Sequence, residues 1–232
     1  MTTTLAAART EVRSLIDEDA AAFWTDSMLN NWLNQGAQDI SRQAQCLWMQ
    51  ASIPAVAGQQ SYMVPADFLG VHRLDYSIDN SDQTYNLEYH GIKTMDEIWG
   101  ILHQLPAAYP RAFYLWNDTG VPGGQWYFAT YPVIAATGTL TLYYYRQAQV
   151  AVNDTDLLDL TPGYEDICYE YAVAKAKRRD RDPLWQEAMG MYSMQLINMF
   201  NKTSRFTDQG DQFTSGNPQW PVYAYTDSSD GW

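Results

Sequence analysis

Apolar residues recur at intervals of three and four between residues 29 and 47, and this pattern constrains the fold more than any other feature. The residues that follow it are Leu29, Trp32, Leu33, Ala37, Ile40, Ala44 and Leu47. Such spacing places the side chains on one face of an α-helix. Thr25 or Asp26 suits the N-cap, because its side-chain oxygen can accept hydrogen bonds from free N–H groups of the first turn. We therefore predict a long amphipathic helix that ends near Met49.

Three further helices are predicted, one before this helix and two near the end of the chain. The first covers residues 5–16. The second begins at Pro162, a residue tolerated in a first helical turn, and its apolar stripe continues to residue 176. The third has Asp182 as its N-cap and an apolar stripe over 184–200. Each helix has an apolar face that needs a packing partner.

Between residues 52 and 146 the pattern changes to the alternation that is typical of β-strands. Strands are predicted at 71–76, 85–89, 112–116, 125–131 and 138–146. The last is rich in β-branched and aromatic residues, which favour a pleated surface. Pro65 cannot donate to a sheet ladder and therefore belongs at an edge or bend. A turn at 120–124 separates two strands, and a short helix is predicted at 94–101.

These elements predict an α+β fold in which the N-terminal and C-terminal helix pairs form a helical bundle. The predicted boundaries are 1–50 for the N-terminal helices, 51–150 for a β-rich insertion, 151–204 for the C-terminal helices and 205–232 for an extended C-terminal arm. Packing the two helix pairs together would cover all four apolar stripes, so we expect the main core to lie in the bundle.

The chain is acidic, with 27 acidic and 14 basic residues and a net charge of −13. Because proteins bind nucleic acids mainly through Lys and Arg contacts to phosphates, we do not expect stable DNA binding by the protein as a whole. Acidity most often serves only solubility, but an acidic surface could also allow a polyanion to slide past without adhering.

Cys46 and Cys168 match no zinc or redox spacing, so we expect two buried free thiols on helix faces in a reducing cytoplasm. The first residues lack the pattern of a signal peptide, and no apolar run is long enough to span a bilayer. We therefore expect a soluble protein made in a cytoplasm.

Two short segments carry a family resemblance. Residues 24–34 read WTDSMLNNWLN, and residues 60–71 read QSYMVPADFLGV. A helix followed by the pattern Y-x-V-P-x-D-F resembles the head-to-tail adaptor (connector or neck) proteins of tailed bacteriophages. Residues 142–146 and 160–176 are similar to the last strand of the insertion and the first C-terminal helix of the tail tubular protein A-like adaptors of short-tailed phages.

The resemblance implies a ring, commonly of twelve subunits, attached beneath the portal protein after genome packaging. Such a ring extends the DNA channel, through which DNA passes without specific binding, and offers a platform for the tail nozzle or other tail and neck proteins. In the short-tailed branch it also implies a helical bundle that carries a β-rich insertion. The protein would then be a structural component of the virion neck and not an enzyme.

The C-terminal arm is a candidate binding segment in such an assembly. Its large aromatic residues are Phe213, Trp220, Tyr223, Tyr225 and Trp232. Aromatic side chains act as anchors when a segment becomes ordered against a neighbour. The arm could also be disordered, as chain ends often are. Five large aromatic residues are unusual for a solvating tail, however, so we predict that the arm binds the portal or an adjoining subunit.

A basic cluster is the second candidate. It consists of Lys175, Lys177, Arg178, Arg179 and Arg181. These cations could simply interact with the exposed carbonyl groups of a helix end. Alternatively, they could bind an acidic neighbouring subunit or phosphate groups, which would suit head-to-tail ring assembly.

The sequence contains no recognisable catalytic, cofactor-binding or metal-binding motif. His72, His90 and His103 are scattered through β-rich or loop segments, although they could come together in the fold as ligands of a metal ion. Two alternatives stay open beside the adaptor: a tail-associated hydrolase that uses a carboxylate pair, and a carbohydrate-binding module. The module would stack sugar rings on Trp116, Trp126 and Tyr127.

Overall fold

The computed structural model describes residues 3–18, 23–79, 81–99, 107–120 and 124–207. Within them the helices are Leu5–Leu15 (α1), Asp26–Ala44 (α2), Ile92–Trp99 (α3), Glu165–Asp180 (α4) and Trp185–Thr207 (α5). The strands are Trp48–Ala55 (β1), Ser61–Met63 (β2), Phe68–Ile78 (β3), Thr84–Tyr89 (β4), Ala112–Asp118 (β5), Gln125–Tyr131 (β6) and Gly138–Arg146 (β7).

The strands form one seven-stranded sheet in the order β1-β7-β3-β4-β5-β6-β2. All neighbouring strands are antiparallel except β4 and β5, which are parallel. Every strand contributes to a single apolar core enclosed by the sheet. Its buried members are Ala55, Tyr62, Val64, Leu74, Tyr76, Leu87, Phe113, Phe128, Ile134, Leu140, Leu142 and Tyr144. Because strands supply its buried residues, this core is separate from the core that the long helices share.

The predicted fold class, a helical bundle with a β-rich insertion, is therefore wrong. The protein is a mixed α+β fold in which a large sheet has a core of its own. The error has a physical cause: a helical stripe is local in sequence, whereas the sheet is built from pairings between distant segments. The partners of β7, for example, are β1 and β3. Alternation within one strand does not reveal such partners.

Helices α1, α2, α4 and α5 share a second apolar core at one end of the sheet. The N-cap prediction for α2 is confirmed, since the Thr25 side chain accepts a hydrogen bond from the Met28 N–H group. The helix ends earlier than predicted, at Ala44, because Gln45 adopts a left-handed conformation (φ 47°). Leu47 is still buried in the helical core, which explains why the apolar stripe continues beyond the helix.

Several other boundaries differ from the predictions. Strand β1 was not predicted, and its residues Trp48 and Met49 had been assigned to α2. Helix α4 begins at Glu165, so Pro162 lies before it. Cys168 is buried in α4 as expected, but the half-buried Cys46 lies in the loop after α2 instead of on a helix.

Helix α3 covers a smaller third core on the other face of β5 and β6. Met95 is fully buried there and contacts the side of the sheet that carries Ala112, Tyr114, Ala129 and Tyr131. The predicted short helix at 94–101 is thus present, although it begins at Ile92 and residues 100 and 101 lie outside the described part of the chain.

Candidate assembly surface

The segment from residue 147 to residue 164 joins β7 to α4 and lies across the helical core. We call this segment the connector, a name that refers to residues 147–164 and not to the protein family. The amide of Asn34 in α2 holds it from both sides: Asn34 Nδ2 donates to the Ala151 carbonyl oxygen, and Asn34 Oδ1 accepts from the Ala151 N–H group, each at 2.9 Å. Two helical turns further along α2, Ser41 Oγ accepts a hydrogen bond from the Ala148 N–H group at 3.0 Å. The connector therefore has a fixed position on α2.

The connector also binds the start of α1. The Leu5 N–H group donates to the Asp156 carbonyl oxygen at 2.8 Å, and the Leu158 N–H group donates to the Thr3 carbonyl oxygen at 2.9 Å. Arg9 adds an ion pair with Asp154 at 2.9 Å. Hydrogen bonding from Arg9 lowers the pKa of the Asp154 carboxyl group. The connector thus links α1, α2 and the sheet.

Carboxylates also organise the connector from within. Asp156 Oδ2 accepts from the N–H groups of Asn153 and Val152 at 2.8 and 2.9 Å, which lowers its pKa. Arg146, at the end of β7, forms a two-pronged ion pair with Asp159. Burial raises the pKa of Asp159, but hydrogen bonds from Arg146 and the Gln149 N–H group outweigh that effect, and the net shift is downward.

A buried arginine fixes the junction between α1 and α2. Arg13 Nη2 donates to the Trp24 carbonyl oxygen and to Asp26 Oδ1, both at 2.7 Å, while Nη1 contacts Glu18 Oε2 at 3.1 Å. Glu18 in turn accepts from the N–H groups of Phe23 and Trp24. The sequence analysis did not single out Arg13, although its side chain is buried, whereas Leu15 in the same helix is half exposed. The sequence signal for a buried cation here was a pair of acidic residues, Glu18 after α1 and Asp26 at the start of α2.

Two groups of exposed large apolar side chains lie on the helical part, besides the single exposed residues Leu15, Phe23 and Leu184. The first group, named the connector patch, consists of Val150, Val152 and Leu157, which are 54%, 74% and 50% exposed. The second, named the α5 patch, consists of Met191, Met194 and Ile197, which are 43%, 59% and 60% exposed. Single exposed apolar residues are ordinary, but clusters of them mark interaction surfaces.

The family model for the SU10 adaptor protein matches residues 3–219 of the chain. The chain belongs to the SU10 adaptor protein family. The resemblance found in the sequence is therefore confirmed, and the protein is a bacteriophage adaptor, a virion component that contacts other head or tail proteins. Comparison with curated proteins gives no match. None of the described helices combines the length and apolar character needed to cross a bilayer.

The predicted basic cluster of the adaptor lies on the last turns of α4 and at its C-cap, Arg181. Arg178 lies over the Trp185 ring at 5.2 Å and Lys175 over the Tyr171 ring at 4.9 Å. A cleft of about 270 Å³ adjoins the cluster. Its lining includes Lys177, the apolar residues Leu15, Ile16 and Trp24, and the carboxylates Asp17, Asp180 and Asp182. Acidic and basic side chains therefore lie side by side at this end of the helical core.

The aromatic residues predicted as anchors, Phe213, Trp220, Tyr223, Tyr225 and Trp232, all lie outside the described residues. His103 does as well. Of the other two histidines, His72 contacts the Trp48 ring edge-on at 4.4 Å, and His90 Nε2 lies 3.4 Å from Glu88 Oε2. In the described part of the chain, no group of three His, Cys, Asp or Glu side chains is arranged to hold a metal ion.

The three aromatic residues considered for sugar binding do not share a surface. Trp116 and Tyr127 are cross-strand partners whose rings stack on each other at 4.7 Å, next to the third core. Trp126 is adjacent to Tyr127 in β6, so its side chain lies on the opposite face of the sheet. This arrangement gives a sugar ring no common platform, and the adaptor family favours a structural role over an enzymatic one.

Proposed function

We propose that copies of this adaptor form a ring of twelve subunits beneath the portal protein, where they extend the DNA channel and carry the tail nozzle or other neck proteins. The observation that carries the proposal is the family match over residues 3–219. Ring size and position come from the resemblance to the adaptors of short-tailed phages. In a ring, each interface joins one face of a subunit to a different face of the next.

The charge of the chain supports a lumen through which DNA moves freely. A net charge of −13 per subunit makes the ring strongly acidic, and like charge discourages adhesion of the phosphate backbone. DNA would pass without specific binding. The basic cluster at the end of α4 would then contact an acidic surface of a neighbouring protein, since cations in an acidic particle favour protein partners of opposite charge.

Imaging of the purified protein by electron microscopy, alone and mixed with portal particles, tests the ring. We expect rings in at least the portal mixture, with the adaptor located at the portal vertex and a continuous central channel. A particle in which the protein occupies a position other than the neck would contradict the proposal.

Removal of residues 206–232 is expected to prevent joining to portal particles while leaving the subunit folded. The buried cores described above lie before this segment, whereas the segment contains the five aromatic anchors. Co-sedimentation with portal particles measures joining, and circular dichroism measures folding. A matched full-length variant in which the five aromatic residues are replaced by serine should fail in the same way. Unchanged joining by either variant would show that the arm is not needed to bind the portal.

A further inference from the structure

The two apolar patches lie on opposite flanks of the helical part. Helices α2 and α4 pack against each other, and both α1 and α5 pack against this pair. Among the described residues, α1 and α5 share no substantial contact with each other. The connector is bound to the start of α1, so the connector patch belongs to the α1 flank and the α5 patch to the other. Two different surfaces on opposite flanks are what a head-to-tail interface requires.

The α5 patch has the composition of an interface. Ala188, Tyr192, Leu196 and Met199 form the buried face of α5. From Ala188 to Asn201 the helix contains no charged residue, so the outward face is uncharged as well. Gly190 lies within this stretch, and no atom of the described residues lies within 4 Å of the place where its Cβ would be. A glycine weakens a helix, and packing against the described part of this subunit does not require one here, but it would allow another chain to approach closely.

The connector patch is presented by a rigid loop. Asp156 fixes the backbone of Val152 and Asn153, and Asn34 fixes Ala151. Val152 is nevertheless 74% exposed. A surface that is ordered before binding loses little conformational freedom when a partner covers it.

The two patches lie at similar heights along the bundle. The end of α1 lies near the turn that leads from α4 into α5, because Leu15 and Ile16 line the same cleft as Asp180 and Asp182. From this end, α1 rises about 16 Å to the connector at 1.5 Å per residue. Met194 and Ile197 lie about 14–18 Å into α5 by the same measure. Subunits standing side by side would therefore bring the patches together.

The charges at the edges of the patches are complementary. Asp154, whose side chain is 64% exposed, adjoins Val152 in the connector. Lys202 is exposed on α5, one helical turn beyond Asn198. Lys202 is also the first charged residue on α5 after the uncharged stretch, whereas the exposed Glu187 comes before that stretch, at the opposite end of the patch.

From these observations we infer that adjoining copies of this adaptor pack side by side, with the α5 patch of one copy covering the connector patch of the next. The inference rests on the proposed ring and assigns its lateral interface. Apolar contacts between Met194 or Ile197 and Val152 would form its centre, and Lys202 with Asp154 its edge.

Disulfide trapping tests this pairing. We expect an Ile197→Cys variant mixed with a Val152→Cys variant to form a disulfide-linked dimer under mild oxidation, in the presence of portal particles. Neither variant should form a dimer by itself, because the interface joins two different surfaces. The double variant should give a ladder of linked subunits up to the ring size. The natural thiols are poor competitors: Cys168 is buried, which raises its pKa to about 12, and burial also raises the pKa of Cys46.

The control pairs Ile197→Cys with Ser81→Cys, an exposed position in the loop between β3 and β4, outside both patches. At least tenfold more dimer from the Val152 mixture than from this control supports the inference. Equal yields from the two mixtures, in particles that contain rings, would overturn the assigned interface and leave the ring intact. Dimers from Ile197→Cys alone would overturn it too, since they require like surfaces to meet. The absence of rings in every sample would instead count against the proposed function.

Discussion

Replacement of Gly138 by alanine is expected to destabilise the protein by at least about 3 kcal/mol. Gly138 begins β7, where it pairs with Ala55 on one side and Ile78 on the other. A methyl group at this position would overlap the carbonyl oxygen of Ser77 and lie 2.9 Å from Cε2 of Tyr76. Neither group can move away: the Ser77 oxygen belongs to the backbone of β3, and Tyr76 is fully buried with its hydroxyl donating to the Ala136 carbonyl oxygen.

The matched control is Gly190→Ala, the same chemical change in open space on α5. Because alanine favours a helix more than glycine does, this variant should be more stable than the natural protein by up to about 1 kcal/mol. Denaturant unfolding followed by tryptophan fluorescence gives both midpoints. The two substitutions should therefore shift the midpoint in opposite directions. A Gly138→Ala protein as stable as the natural one would show that β7 and β3 are not as close as described.

The contrast between these glycines indicates what the sequence could and could not reveal. Strand β7 was predicted from its own residues, since alternation and β-branched side chains are local signals. The need for glycine at position 138 comes from β3, about sixty residues earlier in the chain by the register of the sheet. Strand β1 was missed for a different reason. Its core-facing residues Ala51, Ile53 and Ala55 do alternate with exposed ones, but Trp48 and Met49 at its start continue the apolar stripe of α2 and were assigned to that helix.

The helices were easier to predict because their signals are local. The stripe from Leu29 to Ala44 and the cap at Thr25 identified α2 correctly. The apolar stripe did not indicate which residues of α2 hold the connector. Asn34 and Ser41 lie on the buried face, yet neither fits an apolar pattern. Both side chains form hydrogen bonds with the backbone of the connector, which is more than one hundred positions away in the sequence. The local pattern of α2 could not predict a contact with so distant a segment.

The family resemblance followed from short motifs, and the structure gives one of them a physical reason. The segment 24–34 ends with Asn34, the residue that holds Ala151. It also contains Trp24 and Trp32, whose buried rings pack edge to face at 5.4 Å beside the α1–α2 junction. The motif therefore encodes the attachment of α2 to its neighbours and not a reactive site. Surface patches such as Met194 and Val152 left no comparable signature, because exposure depends on the whole fold.

Substitution of Asn34 by leucine is expected to lower the free energy of unfolding by about 2–3 kcal/mol. Leucine has the shape of asparagine, but it leaves the buried N–H and C=O groups of Ala151 without their partner, at about 1–3 kcal/mol each. Added apolar burial offsets part of this cost. Asn31→Leu is the matched control, since Asn31 is exposed on the same helix and should change stability by less than about 0.5 kcal/mol.

The same substitution should act on assembly, and this effect separates Asn34 from an ordinary core residue. Release of Ala151 frees the loop that presents Val152, so the connector patch would have to become ordered on binding. We expect Asn34→Leu, below its unfolding transition, to exchange the Ala151 N–H proton faster and to form fewer disulfide links between Val152→Cys and Ile197→Cys. Asn31→Leu should leave both measurements unchanged. Faster exchange with normal linking would mean that a fixed connector loop is not needed for assembly, and that Asn34 acts only on the stability of the subunit.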